Sequence, residues 1–397
     1  MAGALLDGEP VPADGSLPDA ATANIGQNGF AVYVHVPFCA SRCGYCDFNT
    51  YTASELGGGA SRDEYAETVL RELDLAAKVV QPARVDTVFF GGGTPTLLSA
   101  GDLGRILEGI DRVWGLSVDA EVTTEANPES VSPEYFRHLR NAGFNRVSLG
   151  MQSSASHVLR FLDRVHSAGR APEAAREARE AGFEHVNLDL IYGTPGETEE
   201  DFARSLRTVI DAGVDHVSAY ALIVEDGTRM AARMRRGELP YPSDDVAADR
   251  YLAAEAALTA AGFEWYEVSN WAKEGGACRH NELYWTNADW WGLGPGAHSH
   301  VGGVRWWNVK HPSAYAKRLW EGVSPGHARE VLTDEDRHLE DVMLRVRLRE
   351  GIALDGVDPA GVRQAVDGGL AVVRDERMIL TLEGRLLADA VVRDLLT

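Results

Sequence analysis

The segment YVHVPFCASRCGYCDFNTY, residues 33–51, contains three of the four cysteines in this chain of 397 residues. Cys39, Cys43 and Cys46 follow one another in a C-x3-C-x2-C spacing directly after a β-rich run. An odd number of thiols cannot pair off completely as disulfides, and structural zinc usually takes four ligands in two close pairs. Thiolates also bind iron–sulfur clusters, and a cubane [4Fe–4S] cluster normally has four cysteine ligands. The spacing therefore indicates a cluster with one iron left open for a non-protein ligand, for which a substrate or cofactor with amine and carboxylate groups is one option.

No residue near these cysteines supplies an obvious fourth protein ligand. Cys278 lies more than 230 residues further along the chain. His35, on the preceding β-rich run, is poorly placed to bind a metal held by the same loop. A zinc site is the alternative, since zinc also favours thiolates.

Helical segments and β-rich runs alternate along the chain. Four helical segments end in Ala-Gly, and a glycine just past a helix can adopt the left-handed conformation that ends it. These glycines are Gly143, Gly182, Gly213 and Gly262. Helix starts are marked by a Ser61–Glu64 capping box and by Ser132 followed by Pro133. Several helices are therefore delimited by the sequence itself.

Short runs rich in Val, Phe, Leu and Tyr between the helices predict six strands. They cover residues 31–37, 85–91, 120–126, 145–150, 185–192 and 215–223. Strands that alternate with helices form βαβ units and a parallel sheet. We therefore predict an α/β fold, a partial (β/α)6-type barrel, whose functional residues lie at the carboxyl ends of the strands.

The composition changes along the chain and predicts four parts. Residues 1–28, rich in Gly, Pro, Ala and Asp, are expected to form a flexible leader. Residues 29–240 are predicted to form the barrel, and residues 241–325 an aromatic-rich extension that contains most of the tryptophans. Residues 326–397 are predicted to form a C-terminal, mostly helical domain with a short β ribbon, similar to a winged helix.

The net charge of −22 argues against nucleic acid as a partner, because phosphate contacts need clustered Lys and Arg. No apolar run reaches the roughly 18 residues that span a bilayer, and residues 1–28 lack the basic and apolar regions of a signal peptide. Four cysteines are too few for a disulfide scaffold. These features predict a cytoplasmic protein without an integral membrane segment, whose cysteine cluster serves metal or redox chemistry.

Glycines and polar residues lie where the predicted strands end. Gly92 and Gly93, in FFGGGTPT, suit a close approach of the backbone to a ligand, because glycine has no side chain. Glu125 lies at the end of the third strand and can accept hydrogen bonds from ribose hydroxyls, as acidic residues do in other nucleotide sites. One such residue alone could belong to an ordinary turn, but several at successive strand ends predict a common site.

The cysteine spacing, with an aromatic residue, Tyr45, just before the last cysteine, resembles that of the radical S-adenosylmethionine (SAM) superfamily. The resemblance implies that the open iron binds the methionyl amine and carboxylate of SAM. It also implies that the reduced cluster cleaves SAM to a 5′-deoxyadenosyl radical. The glycine-rich stretch is then expected to contact the methionyl amine through Gly92, Gly93 and Thr94.

Gln152, Arg164 and Asp189 are further candidates for the adenosine and carboxylate ends of SAM, and Arg164 can pair with a carboxylate bidentately. As a set, these residues are similar to those of the oxygen-independent coproporphyrinogen III oxidases and their relatives. The resemblance runs from about Phe30 to the C-terminus, through YVHVPFCASRCGYCDF, FFGGGTPT, TTEANPES, SLGMQS and DLIYGTPGET. It implies that the side chain of Tyr33 lies near SAM.

Position 48 separates two kinds of member in this family. The oxidases carry an additional cysteine two residues after the last cluster cysteine, where this chain has Phe48. The heme-chaperone relatives have C-D-F there, and they also have an H-N-x-x-Y-W motif, which is present here in RHNELYW. The resemblance implies that the residues of this motif bind heme: His280, Asn281, Tyr284 and Trp285.

The residue types suit a porphyrin but leave its axial ligand open. Histidine is a common axial heme ligand, and tyrosine and cysteine also serve. Large aromatic rings can pack on a porphyrin face, and three are nearby in sequence: Trp285, Trp290 and Trp291. Alternatively, His280 belongs to a local hydrogen-bond network and the tryptophans to the core. The other candidate ligands are Cys278, His298 and His300.

The resemblance thus implies a heme chaperone that holds a [4Fe–4S] cluster, SAM and heme and transfers the heme to acceptor proteins. A carrier needs reversible transfer, so we expect partly exposed heme, with the cluster and SAM gating its transfer. Two alternatives are enzymes: a coproporphyrinogen III dehydrogenase acting through a deoxyadenosyl radical, and another radical SAM methylase or heme-modifying enzyme. The acceptor, the cleavage of SAM and the oligomeric state, for which a homodimer is one option, do not follow from the sequence.

Overall fold

The computed structural model describes residues 8–56, 61–82, 84–164 and 167–396. Its strands are β1 (Glu9–Pro10), β2 (Phe30–Val36), β3 (Val85–Gly92), β4 (Leu116–Ala126), β5 (Arg146–Gln152), β6 (His185–Tyr192), β7 (His216–Ala221), β8 (Glu264–Glu267), β9 (Asn270–Ala272), β10 (Asp289–Leu293), β11 (His298–Val301), β12 (Val304–Asn308), β13 (Gly326–Val331), β14 (Ile352–Ala353), β15 (Ala371–Arg374) and β16 (Arg377–Leu380). Its helices are α1 (Asp19–Thr22), α2 (Arg62–Val79), α3 (Ala100–Trp114), α4 (Pro133–Asn141), α5 (Ser156–Phe161), α6 (Arg170–Glu180), α7 (Glu199–Asp211), α8 (Arg229–Arg235), α9 (Asp244–Ala260), α10 (Arg279–Trp285), α11 (Pro312–Trp320), α12 (Asp334–Arg345), α13 (Pro359–Asp367), α14 (Leu382–Leu386) and α15 (Ala388–Leu395). Pro95–Leu97 and Pro128–Ser130 each form a 3₁₀ turn.

Strands β2 to β7 lie side by side in sequence order and run parallel. All six predicted strands are present, with limits that differ from the prediction by a few residues. The outer neighbour of β2 is β10, and that of β7 is β9, so the six strands form an open sheet. The predicted partial (β/α)6-type barrel is therefore confirmed.

The two faces of the parallel strands differ in polarity, because successive side chains point to opposite sides of a sheet. Val32, Val34 and Val36 of β2 are fully buried in the main hydrophobic core. Tyr33 points to the other side, which we call the inner face, where Glu125 is also located: a Cβ atom on Gly91 would lie 3.1 Å from the Tyr33 ring and 3.2 Å from Oε2 of Glu125. Tyr33 and Glu125, both predicted for the site, thus share the inner face.

Residues of the aromatic-rich region extend this sheet at both edges. β10 runs parallel to β2, with Asp289 opposite Phe30, and β11, β12 and β13 continue the sheet as antiparallel strands. At the other edge, β9 and β8 pair antiparallel beyond β7. The barrel and this region therefore form one continuous sheet, although the four-part division of the chain stays a prediction.

Part of the expected leader packs against the sheet. β1 pairs with β13 at its edge, and the backbone N–H of Gly26 donates to Oδ2 of Asp289 at 2.9 Å. Residues 8–28 are therefore held by specific contacts, which corrects the expectation of a flexible leader for that stretch. The expectation for residues 1–7 lies outside the described residues.

The predicted helix boundaries are confirmed by the backbone. The glycine that follows each of four helices has a positive φ: Gly143 at 107°, Gly182 at 93°, Gly213 at 71° and Gly262 at 83°. The hydroxyls of Ser61 and Ser132 accept hydrogen bonds from the backbone N–H groups of Glu64 and Tyr135, respectively. Local capping chemistry therefore sets where these helices begin and end.

The C-terminal region has a hydrophobic core of its own, built from residues such as Val342, Val362, Met378 and Val391. The short strands β14, β16 and β15 form an antiparallel ribbon in that order, and α13 packs against α15. A C-terminal, mostly helical domain with a β ribbon is therefore present, as predicted, but β13 at the start of the predicted range belongs to the main sheet.

Candidate functional site

The cysteines lie on a loop, residues 37–51, that leaves the carboxyl end of β2 and returns to it. We call it the cysteine loop. The N–H of Cys39 donates to the carbonyl of Tyr51 at 3.0 Å, and the N–H of Tyr51 donates to the carbonyl of Pro37 at 2.7 Å. Cys39 is buried, whereas Cys43 and Cys46 are half-buried. The loop thus presents its thiols at the edge of the sheet where the sequence predicted the site.

The three thiols lie close enough together for the charge of one to affect the pKa of another. Burial and the neighbouring thiols raise the pKa of Cys46 to about 11. Burial also raises the pKa of Cys39, although hydrogen bonds from the hydroxyls of Thr50 and Thr94 oppose the change. Nη1 of Arg164 lies 3.7 Å from Sγ of Cys43. Hydroxyl and guanidinium donors stabilise thiolates, so the loop fits three thiolate ligands of an iron–sulfur cluster.

His35 and Cys278, the two protein residues considered as a fourth ligand, already form hydrogen bonds within the protein. Nε2 of His35 donates to the carbonyl of Asn49 at 2.9 Å, so Nδ1 accepts from the hydroxyl of Tyr33 at 3.0 Å. Cys278 lies beside β4, where its thiol donates to Oε1 of Glu121 at 3.4 Å. Across the described ranges, no three His, Cys, Asp or Glu side chains surround a point where a single metal ion fits.

The glycine-rich turn after β3 forms backbone hydrogen bonds with the end of β2 and with the cysteine loop. The N–H of Gly93 donates to the carbonyl of Val36 at 2.8 Å, and the N–H of Thr94 donates to that of Phe38 at 2.7 Å. A Cβ atom at position 93 would lie 2.5 Å from the Phe38 carbonyl oxygen. Gly93 is thus required by a close approach of two backbone segments. Contact of Gly92, Gly93 and Thr94 with the methionyl amine stays a prediction.

Two half-buried carboxyl groups lie on the inner face. Glu125 accepts from the N–H of Gly92 at 3.1 Å, and burial together with the charge of Asp189 raises the pKa of Glu125 to about 8. Asp189 accepts from the hydroxyl of Ser148 at 3.0 Å and from Nδ2 of Asn187 at 2.6 Å. Glu125 is consequently largely protonated at pH 7. Burial also raises the pKa of Asp189, although its hydrogen-bond donors and the charge of Arg164 oppose the change.

Arg164, Gln152 and Tyr45 come together near Asp189. Nη2 of Arg164 donates to the carbonyl of Gly150 at 3.0 Å, and a Cβ atom on Gly150 would lie 2.9 Å from Nε2 of Gln152. Tyr45 lies close enough to Arg164 and Asp189 for their charges to affect its pKa. Nε of Arg164 is buried and has no hydrogen-bond partner among the described residues. An unpaired buried donor of this kind fits an anionic group such as the carboxylate of SAM.

Helix α10 contains the H-N-x-x-Y-W residues and lies against the amino-terminal half of β3. His280 is only 1% exposed. Its Nδ1 hydrogen-bonds with the hydroxyl of Thr87 at 2.7 Å, and its Nε2 with that of Tyr284 at 2.9 Å. Nδ2 of Asn281 donates to Glu267 at 2.9 Å. His280 and Asn281 therefore anchor the helix, which is the local network considered as the alternative, and heme contact by the motif stays a prediction.

The aromatic rings near α10 form a connected series on the inner face. Tyr284 contacts Trp290 edge-on, with centroids 4.9 Å apart, and Trp290 contacts His300 at 5.0 Å. Trp285 is half-buried, and its indole N–H has no hydrogen-bond partner within the described ranges. Trp291 belongs to the hydrophobic core. Trp290 thus lies on the inner face and Trp291 on the opposite side.

A buried ion pair that no sequence motif marks holds the segment before α10. Nε of Arg146 lies 3.1 Å from Oε2 of Glu121, and Nη2 donates to the carbonyls of Gly276 and Ala277 at 2.5 Å and 2.8 Å. Glu121 in turn accepts from the N–H of His280 at 3.0 Å. The available signal was a glutamate in β4 and an arginine at the start of β5.

Comparisons with known proteins agree with this geometry. The sequence pattern of the radical SAM superfamily matches residues 33–209. The heme chaperone HemW of Mycobacterium tuberculosis is 55% identical over 370 residues, which cover 92% of this chain and 95% of the relative. The HemW protein of Bacillus subtilis is 34% identical over 374 residues, covering 91% of this chain and 97% of the relative. Both similarities include the cysteine loop, the inner face and α10.

The fold is also similar to that of a solved enzyme. The structure of coproporphyrinogen III oxidase from Escherichia coli, a radical SAM enzyme, superimposes with a TM-score of 0.81 over 95% of this chain and 92% of the enzyme. The two sequences are 24% identical. At that identity, the likeness shows a shared fold but not a shared activity.

Proposed function

The chain belongs to the HemW family of heme chaperones within the radical SAM superfamily, and from this premise we propose that it binds heme and transfers it to acceptor proteins. Membership of the superfamily implies a [4Fe–4S] cluster and SAM. The observation that carries the proposal is the 55% identity to a heme chaperone over 92% of this chain. A fold shared with an oxidase cannot decide between carrier and enzyme.

We assign the cluster to Cys39, Cys43 and Cys46, and SAM to the adjoining inner face. When bound, the cluster and SAM supply one-electron chemistry. The chain's own residues hold and orient these groups. Thr94 donates to the thiol of Cys39, and Arg164 offers its unpaired Nε to a carboxylate. The remaining SAM contacts are proposed for the other residues of the candidate site: Tyr33, Tyr45, Gly92, Gly93, Glu125, Gln152 and Asp189.

Helix α10 is proposed to form part of the heme site. The edge of Tyr284 and the half-buried ring of Trp285 offer aromatic surface to a porphyrin. His280 and Asn281 support this helix through their hydrogen bonds to Thr87 and Glu267. Because heme at this edge of the sheet would be partly exposed, it could leave for an acceptor protein.

Gating of heme transfer by the cluster is supported by one residue of the cysteine loop. Nδ2 of Asn49 donates to the carbonyls of Pro295 and Lys310, at 2.9 Å and 2.8 Å, and its own carbonyl accepts from His35. Pro295 and Lys310 flank β11 and β12. A cluster that orders the cysteine loop would therefore also order this part of the inner face.

An enzymatic role as a coproporphyrinogen III dehydrogenase is the second candidate. The chain has an exposed phenylalanine, Phe48, where the oxidases carry an additional cysteine. We expect the anaerobically reconstituted chain, supplied with SAM and a reductant, to leave coproporphyrinogen III unchanged while it binds heme near one equivalent. Substantial formation of protoporphyrinogen, detected by chromatography, would contradict the carrier role and support the enzymatic role.

The affinity for SAM is expected to increase with pH through the titration of Glu125. Burial and Asp189 raise the pKa of Glu125 to about 8, so a proton occupies it at pH 7. The ionised carboxylate is the better acceptor for ribose hydroxyls, and its charge also attracts the sulfonium of SAM. Between pH 7 and pH 9 the affinity should therefore rise by at most about tenfold. Calorimetric titration of the cluster-loaded chain measures this change.

The control for that titration is Glu125→Gln, which keeps the shape of the side chain and removes its charge. The α-amino group of SAM itself titrates in this pH range. Only the difference between the wild type and the variant therefore reports on Glu125. Identical pH profiles for the two proteins would show that Glu125 does not face SAM.

The location, partners and assembly of the protein are further parts of the proposal. Of the helices in the described ranges, none has the length and apolarity to cross a membrane. We propose a cytoplasmic carrier with heme-acceptor proteins as partners and no nucleic acid. A homodimer is the assembly that sedimentation analysis should test first.

A further inference from the structure

An axial ligand of heme iron must offer an imidazole nitrogen with a free lone pair, and most inner-face histidines do not. His280 and His35 have both ring nitrogens hydrogen-bonded. His216 also has both nitrogens engaged, with Asn187 at 2.7 Å and with Tyr266 at 2.7 Å. Each could bind iron only after it lost a buried hydrogen bond, which would leave its partner unsatisfied.

His300 is the next candidate, but heme cannot reach it in this conformation. Its Nδ1 donates to the carbonyl of Ala288 at 3.2 Å, and Nε2 has no hydrogen-bond partner among the described residues. However, the residue is only 4% exposed and the Trp290 ring lies 5.0 Å away, centroid to centroid. The lone pair of His300 is therefore enclosed by protein.

His298 differs from these residues because it is exposed to solvent. It lies two residues before His300 on β11, so both side chains project from the same side of the strand. Its ladder partner is Trp307, and His300 is paired with Trp290 next to β2. The ring nitrogens of His298 make no hydrogen bond with the part of the chain that the structure describes. The imidazole is thus accessible on the inner face.

The surroundings of His298 hold its ring in place and keep the imidazole neutral. The ring stacks on Trp307, with centroids 5.8 Å apart and an angle of 26° between the planes. The indole N–H of Trp290 donates to the His298 carbonyl at 3.2 Å. Partial enclosure in the hollow of the sheet, together with the positive charges of Lys310 and Arg305, lowers the pKa of His298. The imidazole is therefore neutral at pH 7 and has a lone pair for iron.

We propose that His298 is the axial ligand of the heme iron and that the porphyrin lies on the inner face beside β11. This inference rests on the proposed heme-carrier function and names the ligand that such a function requires. It gives His280 a positioning role for α10. It also places heme beside the segments that Asn49 of the cysteine loop contacts.

The test is a titration of the full-length chain with ferric heme, followed by Soret absorption and resonance Raman spectroscopy. His298→Ala should weaken binding by at least about tenfold and remove the signature of histidine ligation, because an axial bond is lost. His298→Cys should restore binding with a thiolate-type spectrum. Since His298 is exposed, neither change should unfold the protein, and circular dichroism checks this.

The matched control is His327→Ala on β13. His327 is exposed, like His298, but its neighbour Ala328 is paired with Trp307, so His327 points to the other side of the sheet. This variant should bind heme as the wild type does. Unchanged affinity and spectrum in His298→Ala would overturn the assignment alone. Absence of heme binding by the wild type would instead overturn the proposed function.

Discussion

Replacing Cys43 by alanine should leave the reconstituted chain without a [4Fe–4S] cluster. Three thiolates of one loop supply the protein ligands, and the other candidate donors, His35 and Cys278, are engaged in hydrogen bonds. With two thiolates left, two irons of the cubane would lack a protein ligand. Iron and sulfide content, together with the visible absorption of the cluster, should fall to background.

Cys278→Ser provides the matched control for that experiment. Cys278 is buried beside Glu121, away from the cysteine loop, and serine keeps a donor for the Glu121 carboxylate. We expect this variant to bind as much iron and sulfide as the wild type. A cluster that survived in Cys43→Ala, or disappeared in Cys278→Ser, would contradict the ligand assignment.

Replacing Arg146 by methionine should lower the free energy of unfolding by roughly 3–5 kcal/mol, because it leaves the buried carboxylate of Glu121 without its counter-charge. Arg146 is 2% exposed, and it also binds the carbonyls of Gly276 and Ala277. Those carbonyls precede α10. Urea denaturation followed by circular dichroism measures the loss, and heme titration shows whether α10 is displaced.

Arg207→Met is the corresponding surface control. Arg207 pairs with Glu200 at 2.5 Å, but both side chains are mostly exposed. An ion pair in water contributes less than about 1 kcal/mol. A similar loss of stability in the two variants would show that burial of the Arg146–Glu121 pair is not what makes it important.

The parallel strands and helix ends could be predicted from the sequence because their signals are local. A run of apolar residues is buried on both sides of a parallel strand, and a glycine after a helix is needed where φ becomes positive, as at Gly143 and Gly182. The order β2 to β7 then follows from βαβ connectivity. The cysteine spacing was equally local.

The edges of the sheet could not be predicted in the same way. β10 pairs with β2, although Asp289 and Phe30 are far apart in sequence, and no turn or connection links the two strands directly. Aromatic residues such as Trp290 and Trp291 fit a strand, a core helix or a ligand wall equally well. Only the packed structure shows that they extend the sheet.

The roles of individual polar residues were the least predictable part of the site. The sequence predicted that His280 belongs to a motif, but it did not predict the hydrogen-bond partner of this residue. That partner is the hydroxyl of Thr87, nearly 200 positions away, which hydrogen-bonds with Nδ1 of His280. We predicted that the glycines of the turn allow a ligand to approach the backbone. The structure shows a second reason at position 93, where a side chain would collide with the Phe38 carbonyl. Such roles depend on which strands become neighbours, and pairing is a property of the whole fold.

Transfer of heme is the most direct test of the carrier role. The chain, loaded with its cluster, SAM and one equivalent of heme, would be mixed with an apo-hemoprotein acceptor whose Soret band differs from that of the donor. We predict that the band shifts to that of the acceptor faster than heme dissociates spontaneously from the chain into solution. Transfer no faster than spontaneous dissociation of heme from the chain would contradict the proposal that this protein is a heme chaperone.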